Sequence, residues 1–139
     1  MSSDMNYYDT FILAADDCPA MVGERPAPRN GKATVATIQY GMLAGRPYEL
    51  TQEDVLYGTW RQQHPEGPGE DADLRERFFA IPRACLRASP LGKRHGWGLH
   101  FDAEGRVALH GRDSELYRAA ETGELPGVTV TRAMRSKRA

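Results

Sequence analysis

The sequence is poor in cysteine and has neither a long apolar run nor an excess of one charge. Its 139 residues contain two cysteines, Cys18 and Cys85, which are too few for a disulfide framework. No apolar stretch approaches the roughly 20 residues that a membrane-spanning helix needs. The N-terminal MSSDMNYYDTF has neither the basic nor the apolar region of a secretory signal. We therefore predict a cytoplasmic protein with reduced thiols and no association with membranes.

Positive and negative charges nearly balance, with 18 Lys and Arg residues, 19 Asp and Glu residues and a formal net charge of −1. This balance gives no overall attraction to nucleic acid or to an anionic membrane, so a charge-driven ligand would have to use a local patch. We expect no dedicated nucleic-acid binding, because aromatic residues are not interleaved with the basic ones. The frames of a phosphate-binding P-loop and of a calcium loop are also missing, and no cofactor is expected.

Hydrophobic periodicity indicates a single domain that contains both helices and strands. A chain of 139 residues is long enough to bury one ordinary core. Residues 1–127 are expected to form this domain, and residues 128–139 a possible edge strand followed by a mobile basic tail. We expect a strand at 7–15 and helices at 34–43, 51–63, 73–80 and 113–123. The β-branched residues of 34–43 leave a strand open as the alternative there.

The segment 84–111 is predicted to form a β-meander, because apolar and polar residues alternate in three of its stretches. These are ACLRAS at 84–89, GWGLHF at 96–101 and RVALHG at 106–111, with the hairpin turn DAEGR before the last one. We therefore predict an α+β fold with a small antiparallel sheet and helices packed mainly on one face. Much of the core is expected from Leu56, Trp60, Leu74, Phe78, Trp97, Leu99, Phe101, Val107, Leu109 and Leu116.

The register of the last two strands follows from burial of their apolar residues. If Leu99 lies opposite Leu109, the apolar residues of both strands share one face. His100 and His110 then become diagonal neighbours on the polar face, with Cα atoms roughly 7–8 Å apart. The two imidazoles could ligate a metal ion, but the sequence indicates no third ligand beside them, so we expect no metal site.

One functional hypothesis is an enzyme that uses Cys85 as a nucleophile. On a strand at 84–89, Cys85, Arg87 and Ser89 would point in the same direction. Pairing of that strand with the strand of His100 would place the thiol beside a cation and an imidazole, which favours the thiolate. His100 or His110 would then act as the base. The alternative, which we favour over a catalytic thiol, is a Cys85 packed as a small and inert residue.

The leading hypothesis is a binding module for a small anionic metabolite or a nucleotide. No acidic residue interrupts the run from Arg83 to Arg94, and SPLGKRHG at 89–96 is expected to be a flexible cationic connection beside a rigid sheet. The alternative is a solvated loop whose charges keep the domain soluble. The candidate ligand-binding residues are Arg87, Ser89, Lys93, Arg94 and His100.

A third hypothesis is a protein-interaction subunit, for which a homo-oligomer is possible. Whether the protein is an enzyme is left open by the residues themselves, since no spacing of nucleophile, base and orienting carboxylate matches a catalytic signature.

Four stretches of the chain resemble one family of small stand-alone bacterial proteins that is catalogued as a domain of unknown function. They are NYYDTFILAADDCP, IQYGML, PYELTQEDVLYGTW and above all CLRASPLGKRHGWGLH at 85–100. The resemblance spans about residues 6–110 and implies a single compact α+β domain in the cytosol. It implies no activity, substrate or catalytic residue. His95 stands where an aromatic residue is expected in such a family, which makes His95 a poor choice for an essential acid or base.

Overall fold

Short helices and strands alternate along the chain, and the strands join in one sheet. The computed structural model describes residues 5–65 and 71–136. Within these residues no helix has both the length and the apolar character needed to cross a membrane. The elements are β1 (Thr10–Leu13), α1 (Val35–Leu43), β2 (Leu50–Thr51), α2 (Gln52–Gln63), α3 (Asp71–Phe79), a 3₁₀ turn (Leu86–Ala88), α4 (Pro90–Arg94), β3 (Trp97–Phe101), β4 (Arg106–Gly111), α5 (Glu115–Glu121) and β5 (Thr129–Arg132).

The sheet has five strands in the order β2-β4-β3-β1-β5. β3 pairs antiparallel with β4 and β1, and β2 pairs antiparallel with β4. The strand expected near residue 128 is present as β5, and it forms an edge of the sheet by pairing parallel with β1. The α+β fold class is therefore confirmed, whereas the sheet is mixed rather than wholly antiparallel because the chain returns to β1 through α5.

The β3–β4 hairpin has the predicted register. Leu99 lies opposite Leu109, and His110 lies opposite Gly98. Gly105 in the turn has a φ of 80°, a backbone conformation that residues other than glycine rarely adopt. The two histidines therefore lie on one face of the sheet, and the apolar residues of the hairpin lie on the other.

The predicted strand at 84–89 is wrong. Residues Leu86–Ala88 form the 3₁₀ turn, and helix α4 begins immediately afterwards at Pro90. Ser89 is the N-cap of α4 and accepts a hydrogen bond from the backbone N–H of Leu91 (3.2 Å), while Pro90 occupies the first helical turn, where its missing N–H costs nothing. The expected flexible connection at 89–96 is therefore a capped helix, and the β-meander is reduced to the hairpin at 97–111.

Side-chain caps determine where the longer helices begin. Thr34 and Thr51 each form a capping box, in which the threonine and the residue three positions later bond to each other's backbone N–H. The cap at Thr34 accounts for the helix, rather than a strand, at 35–43. Ser114 caps α5, and Gly123 follows that helix with a φ of 77°.

Each face of the sheet is covered by different helices. On one face, Tyr40 of α1 packs against Trp97 with ring centroids 5.8 Å apart, and α4 lies against β3. On the other face, Tyr117 of α5 packs edge-on against Phe11 at 5.7 Å. Gly98 is required between these two rings, since a Cβ there would lie 2.5 Å from the Phe11 ring. Helices α1 and α4 thus pack on one face, and α5 packs on the other.

The core includes β1, α4 and α5 to a greater extent than the sequence indicated. Five predicted core residues are buried, and the other five are partly buried at its margin. Of the ten largest fully buried side chains in the described residues, seven were not predicted, namely Phe11, Ile12, Gln52, Val55, Leu86, Leu91 and Tyr117. The five predicted residues that are buried are Leu74, Phe78, Leu99, Phe101 and Val107.

Candidate functional site

A tyrosine bridges the two histidines of the hairpin. The phenol oxygen of Tyr48 lies 2.8 Å from Nδ1 of His100 and 3.0 Å from Nε2 of His110. The two imidazole rings lie 6.0 Å apart between centroids, as their diagonal positions on β3 and β4 require. We call Tyr48, His100 and His110 the tyrosine–histidine cluster. Its three polar groups are partly buried and meet at one point above the sheet.

Backbone geometry holds Tyr48 over the sheet. Its φ is +58°, a left-handed conformation that is uncommon for a bulky residue and that costs free energy. The Tyr48 N–H donates to the carbonyl of Val107 on β4 (3.0 Å), and this bond ties the loop to the sheet. Phe11 is the cross-strand partner of His100, and its buried ring lies on the same face of the sheet, 5.8 Å from the ring of His100 and 6.1 Å from that of His110. The position of the cluster is therefore determined by the loop of Tyr48 and by the neighbouring ring of Phe11.

Burial favours the neutral form of all three side chains. It lowers the pKa of His100, although the carboxylates of Asp102 and Asp9 act in the opposite direction. It also lowers the pKa of His110, and His100 adds to that effect. Burial, with a contribution from Asp102, raises the pKa of Tyr48. Because one phenol carries one proton, Tyr48 can donate to only one imidazole, and the other imidazole must donate to the phenol oxygen.

Cys85 lies apart from the histidines. Tyr7 donates its hydroxyl to the Cys85 Sγ (3.2 Å), and the Tyr7 ring packs against Phe101 at 5.3 Å. Phe101 points to the face opposite that of His100, so the sheet stands between the thiol and the imidazole. Burial, followed by the hydrogen bond to Cys85, raises the pKa of Tyr7 to about 12. The expectation that Cys85, His100 and His110 share one face is wrong, because residue 85 precedes a 3₁₀ turn instead of lying in a strand.

Two of the predicted anion-binding residues are engaged in holding the fold. The Arg87 Nε donates to the carbonyl of Arg132 at the end of β5 (2.7 Å). Ser89 is buried and donates its hydroxyl to Oε1 of Gln39 in α1 (2.6 Å), in addition to capping α4. His100 lies in the tyrosine–histidine cluster, and Lys93 is partly buried in α4. The five residues are therefore not brought together in one place.

The fifth, Arg94, lines an open depression of about 260 Å³ together with Arg29 and His95. The N-terminus of α1 forms another wall of it, through Thr34, Val35 and Ala36, and the remaining lining residues are Ala27 and Pro90. None of these lining residues is acidic. We call this feature the cationic depression.

The cations of the depression have no carboxylate partner in the part of the chain that the structure describes. Arg46, Arg75, Arg106 and Arg132 form ion pairs there, whereas neither Arg29 nor Arg94 does. Arg29 is presented by a tight turn, in which its backbone exchanges two hydrogen bonds with that of Lys32 (3.0 and 2.9 Å). That turn borders a second, adjoining depression, which Lys32 and Arg29 both line.

His95 lies where the depression meets the end of α4. Burial lowers the pKa of His95, the carboxylate of Glu24 raises it, and the charge of Arg94 lowers it again. An anion placed beside Arg94 would oppose both lowering effects, because it would stabilise the charged imidazole.

The sequence analysis missed Tyr48 and Arg29. Tyr48 follows Pro47 in the loop before β2, and no residue pattern connects it to a histidine pair 52 and 62 positions away. For Arg29 a local signal exists, since Asn30–Gly31 is a dipeptide typical of tight turns and the structure has left-handed backbone at both residues. That signal predicts the turn and does not predict what the arginine faces.

The chain was compared with proteins and families already characterised. No curated protein matches it, and no solved structure matches it. The model of one family, DUF6157, described as a family of unknown function, matches residues 2–139. Because this match covers nearly the whole chain, the protein belongs to the DUF6157 family of unknown function.

Proposed function

We propose that the protein binds a small anionic metabolite in the cationic depression. The observation that carries the proposal is that Arg29, Arg94 and His95 line one open depression whose other lining residues include no acid. Each guanidinium attracts an anion, and no carboxylate among the lining residues competes for that attraction. The proposal keeps the ligand class that the sequence favoured and moves the ligand from Arg87 and Ser89 to the far end of α4.

The chemistry of the lining residues favours phosphate or carboxylate groups. The planar guanidinium of an arginine can donate two parallel hydrogen bonds to either group, and two arginines from different elements can hold it from two sides. The first turn of α1 adds the positive end of a helix dipole. These groups come from three separate parts of the chain, the turn at 29–32, the start of α1 and the end of α4.

The volume favours a small ligand over a whole nucleotide. Pockets for drug-sized ligands have volumes of about 300–1,000 Å³, and this depression has about 260 Å³. A phosphorylated or carboxylated metabolite of a few carbon atoms fits that space, with its remaining atoms facing the solvent.

Thermal unfolding in the presence of candidate anions tests the proposal. The panel contains inorganic phosphate, sulfate, small phosphate monoesters and dicarboxylates, at equal ionic strength. Arg94→Gln is compared with Arg118→Gln, because both arginines are exposed and lie in the last turn of a helix. An anion at a hundred times its Kd stabilises the folded state by about 2.7 kcal/mol, which raises the Tm by several degrees.

We expect at least one anion to raise the Tm of the wild type and of Arg118→Gln equally, and to lose most of this effect in Arg94→Gln. Arg29→Gln should weaken the binding of the same anion, since the guanidinium of Arg29 lines the same depression. A shift that is equal in Arg94→Gln and Arg118→Gln would contradict the proposal, and so would the lack of a shift with every anion of the panel.

A further inference from the structure

We propose that the tyrosine–histidine cluster binds a divalent first-row transition-metal ion through the Tyr48 phenol oxygen, Nδ1 of His100 and Nε2 of His110. The phenol oxygen lies 2.8 and 3.0 Å from the two nitrogens. Two ligand atoms bound to one tetrahedral zinc ion at about 2.0–2.1 Å are separated by about 3.3 Å. The phenol oxygen therefore needs to move away from each nitrogen by only a few tenths of an ångström to share an ion with it.

The scaffold holds these donors in place without a ligand. The histidines are on paired strands, and the ring of Phe11, on the same face of the sheet, packs beside both imidazoles. Tyr48 is kept in a left-handed conformation by its bond to Val107. Strained backbone of this kind persists where the surrounding structure over-determines it, and it is concentrated at functional sites. Pre-organised donors reduce the free energy that binding must spend on ordering side chains.

A metal ion can replace the protons that form the two hydrogen bonds of the cluster. The phenol proton and one imidazole proton are the hydrogens that link the three atoms. A metal ion at their centre would take over that linking role. The phenol proton would be released to the solvent, and the imidazole that donates to the phenol would shift its proton to its other ring nitrogen. Those other nitrogens, Nε2 of His100 and Nδ1 of His110, have no hydrogen-bond partner in the described ranges, so either can carry the proton.

The donor set selects the class of ion. Two imidazole nitrogens and a phenol oxygen suit zinc and copper, whereas magnesium and calcium prefer an all-oxygen site. Histidine, cysteine and carboxylate residues alone do not form a group of three or more within 5–65 and 71–136, so the tyrosine is what completes this set. The cluster is only partly buried, and the remaining coordination positions of the ion would be open to water.

Metal titration of the purified, chelator-treated protein tests the proposal. Calorimetry with Zn²⁺ is run on the wild type, His110→Gln and His64→Gln, with Mg²⁺ as a control ion. His64 is exposed and lies at the end of α2, so it controls for nonspecific binding by a single histidine. Titration with Cu²⁺ follows the visible absorption band of a phenolate bound to copper, in the wild type and in Tyr48→Phe. Circular dichroism establishes that each variant is folded.

We expect one equivalent of Zn²⁺ to bind the wild type and His64→Gln alike, with affinity at least about tenfold weaker in His110→Gln. The copper band should be present in the wild type and lost in Tyr48→Phe. Stoichiometric binding that is unchanged in His110→Gln would overturn the proposal, as would a failure to bind Zn²⁺, equal binding of Mg²⁺ or a copper band that survives in Tyr48→Phe. If Tyr48→Phe does not fold, His100→Gln provides the second ligand variant, and the same loss of affinity is expected.

Discussion

On the sheet, Tyr48, His100 and His110 satisfy one another's hydrogen bonds, whereas Arg29 and Arg94 in the cationic depression have no carboxylate partner in the described part of the chain. Hydrogen bonds already link the members of the first group, and burial favours their neutral forms, so a ligand must replace existing interactions. The two arginines of the second group have no such interactions to replace, so almost any anion of the right size can pair with them. We therefore expect the cluster to be selective for the type of ion, and the depression to be sensitive to the concentration of salt.

The two regions also differ in how they are supported. The cluster stands on paired strands beside a fully buried phenylalanine. The depression is assembled from a turn and from the ends of α1 and α4, and α4 is only five residues long. Its position depends on the buried hydrogen bonds that Ser89 makes with α1 and with its own helix. Damage to the sheet should thus affect stability most, and damage to the cap of α4 should affect the depression most.

The largest expected effect comes from removing the support of the cluster. Phe11→Ala should lower the free energy of unfolding by about 3–5 kcal/mol, because it empties a fully buried site between the histidines and Tyr117. Val130, the neighbour of Phe11 on β5, is 39% exposed. Urea unfolding of Phe11→Ala and Val130→Ala measures the difference. Equal and small losses in the two variants would show that the sheet face bearing the histidines does not depend on Phe11.

A smaller loss is expected when the support of the depression is removed. Ser89→Ala removes the cap of α4 and leaves Oε1 of the buried Gln39 without its donor, at a cost of about 2–3 kcal/mol. Ser114→Ala removes only the cap of α5, at a cost of about 1 kcal/mol. Urea unfolding gives both values, and anion binding should weaken only in Ser89→Ala. A cost no greater than that of Ser114→Ala would mean that the bond to Gln39 contributes nothing net.

Local signals predicted those elements whose ends carry a cap or whose two faces differ in polarity. Thr51 with acids in the next turn indicated α2, and the pairing of Leu99 with Leu109 followed from burial alone. The strand at 84–89 failed because so short an alternation of small residues does not distinguish a strand from a 3₁₀ turn. The Ser89–Pro90 pair, typical of a helix start, was the stronger signal.

The candidate sites were predictable only where they lie within one local element. His100 and His110 belong to one hairpin, so their proximity followed from its register. Tyr48 comes from a different part of the chain, in a loop. Its left-handed backbone could not be predicted, because tyrosine is not a residue type that favours this conformation. Contacts of this kind depend on how separate elements pack against one another, and that packing cannot be predicted from local patterns in a single sequence. For the same reason the sequence did not predict that Arg29 lines the depression with Arg94, whereas Arg87 bonds to the end of β5.

The smallest expected effect is a difference between the two regions in how the free energy of unfolding depends on pH. The pKa values of His95, His100 and His110 are all lowered by burial. An imidazole has a pKa of about 6.5 in the unfolded chain, so between that value and its lower folded value the unfolded chain binds more protons. The free energy of unfolding should therefore be highest above about pH 6.5 and fall as the pH decreases through the folded pKa values.

Sulfate, which remains a dianion over this pH range, should change only the contribution of His95 to the pH dependence of stability. Bound in the cationic depression, it would favour the charged form of His95 and so reduce the fall in stability below about pH 6.5. Urea unfolding at a series of pH values, with and without sulfate at equal ionic strength, measures this in the wild type, His95→Gln and His110→Gln. We expect sulfate to flatten the profile of the wild type and of His110→Gln, and to leave the slope for His95→Gln unchanged. If sulfate flattened all three profiles equally, its effect would be that of a salt excluded from the whole surface, and the depression would lose its distinction from the rest of the molecule.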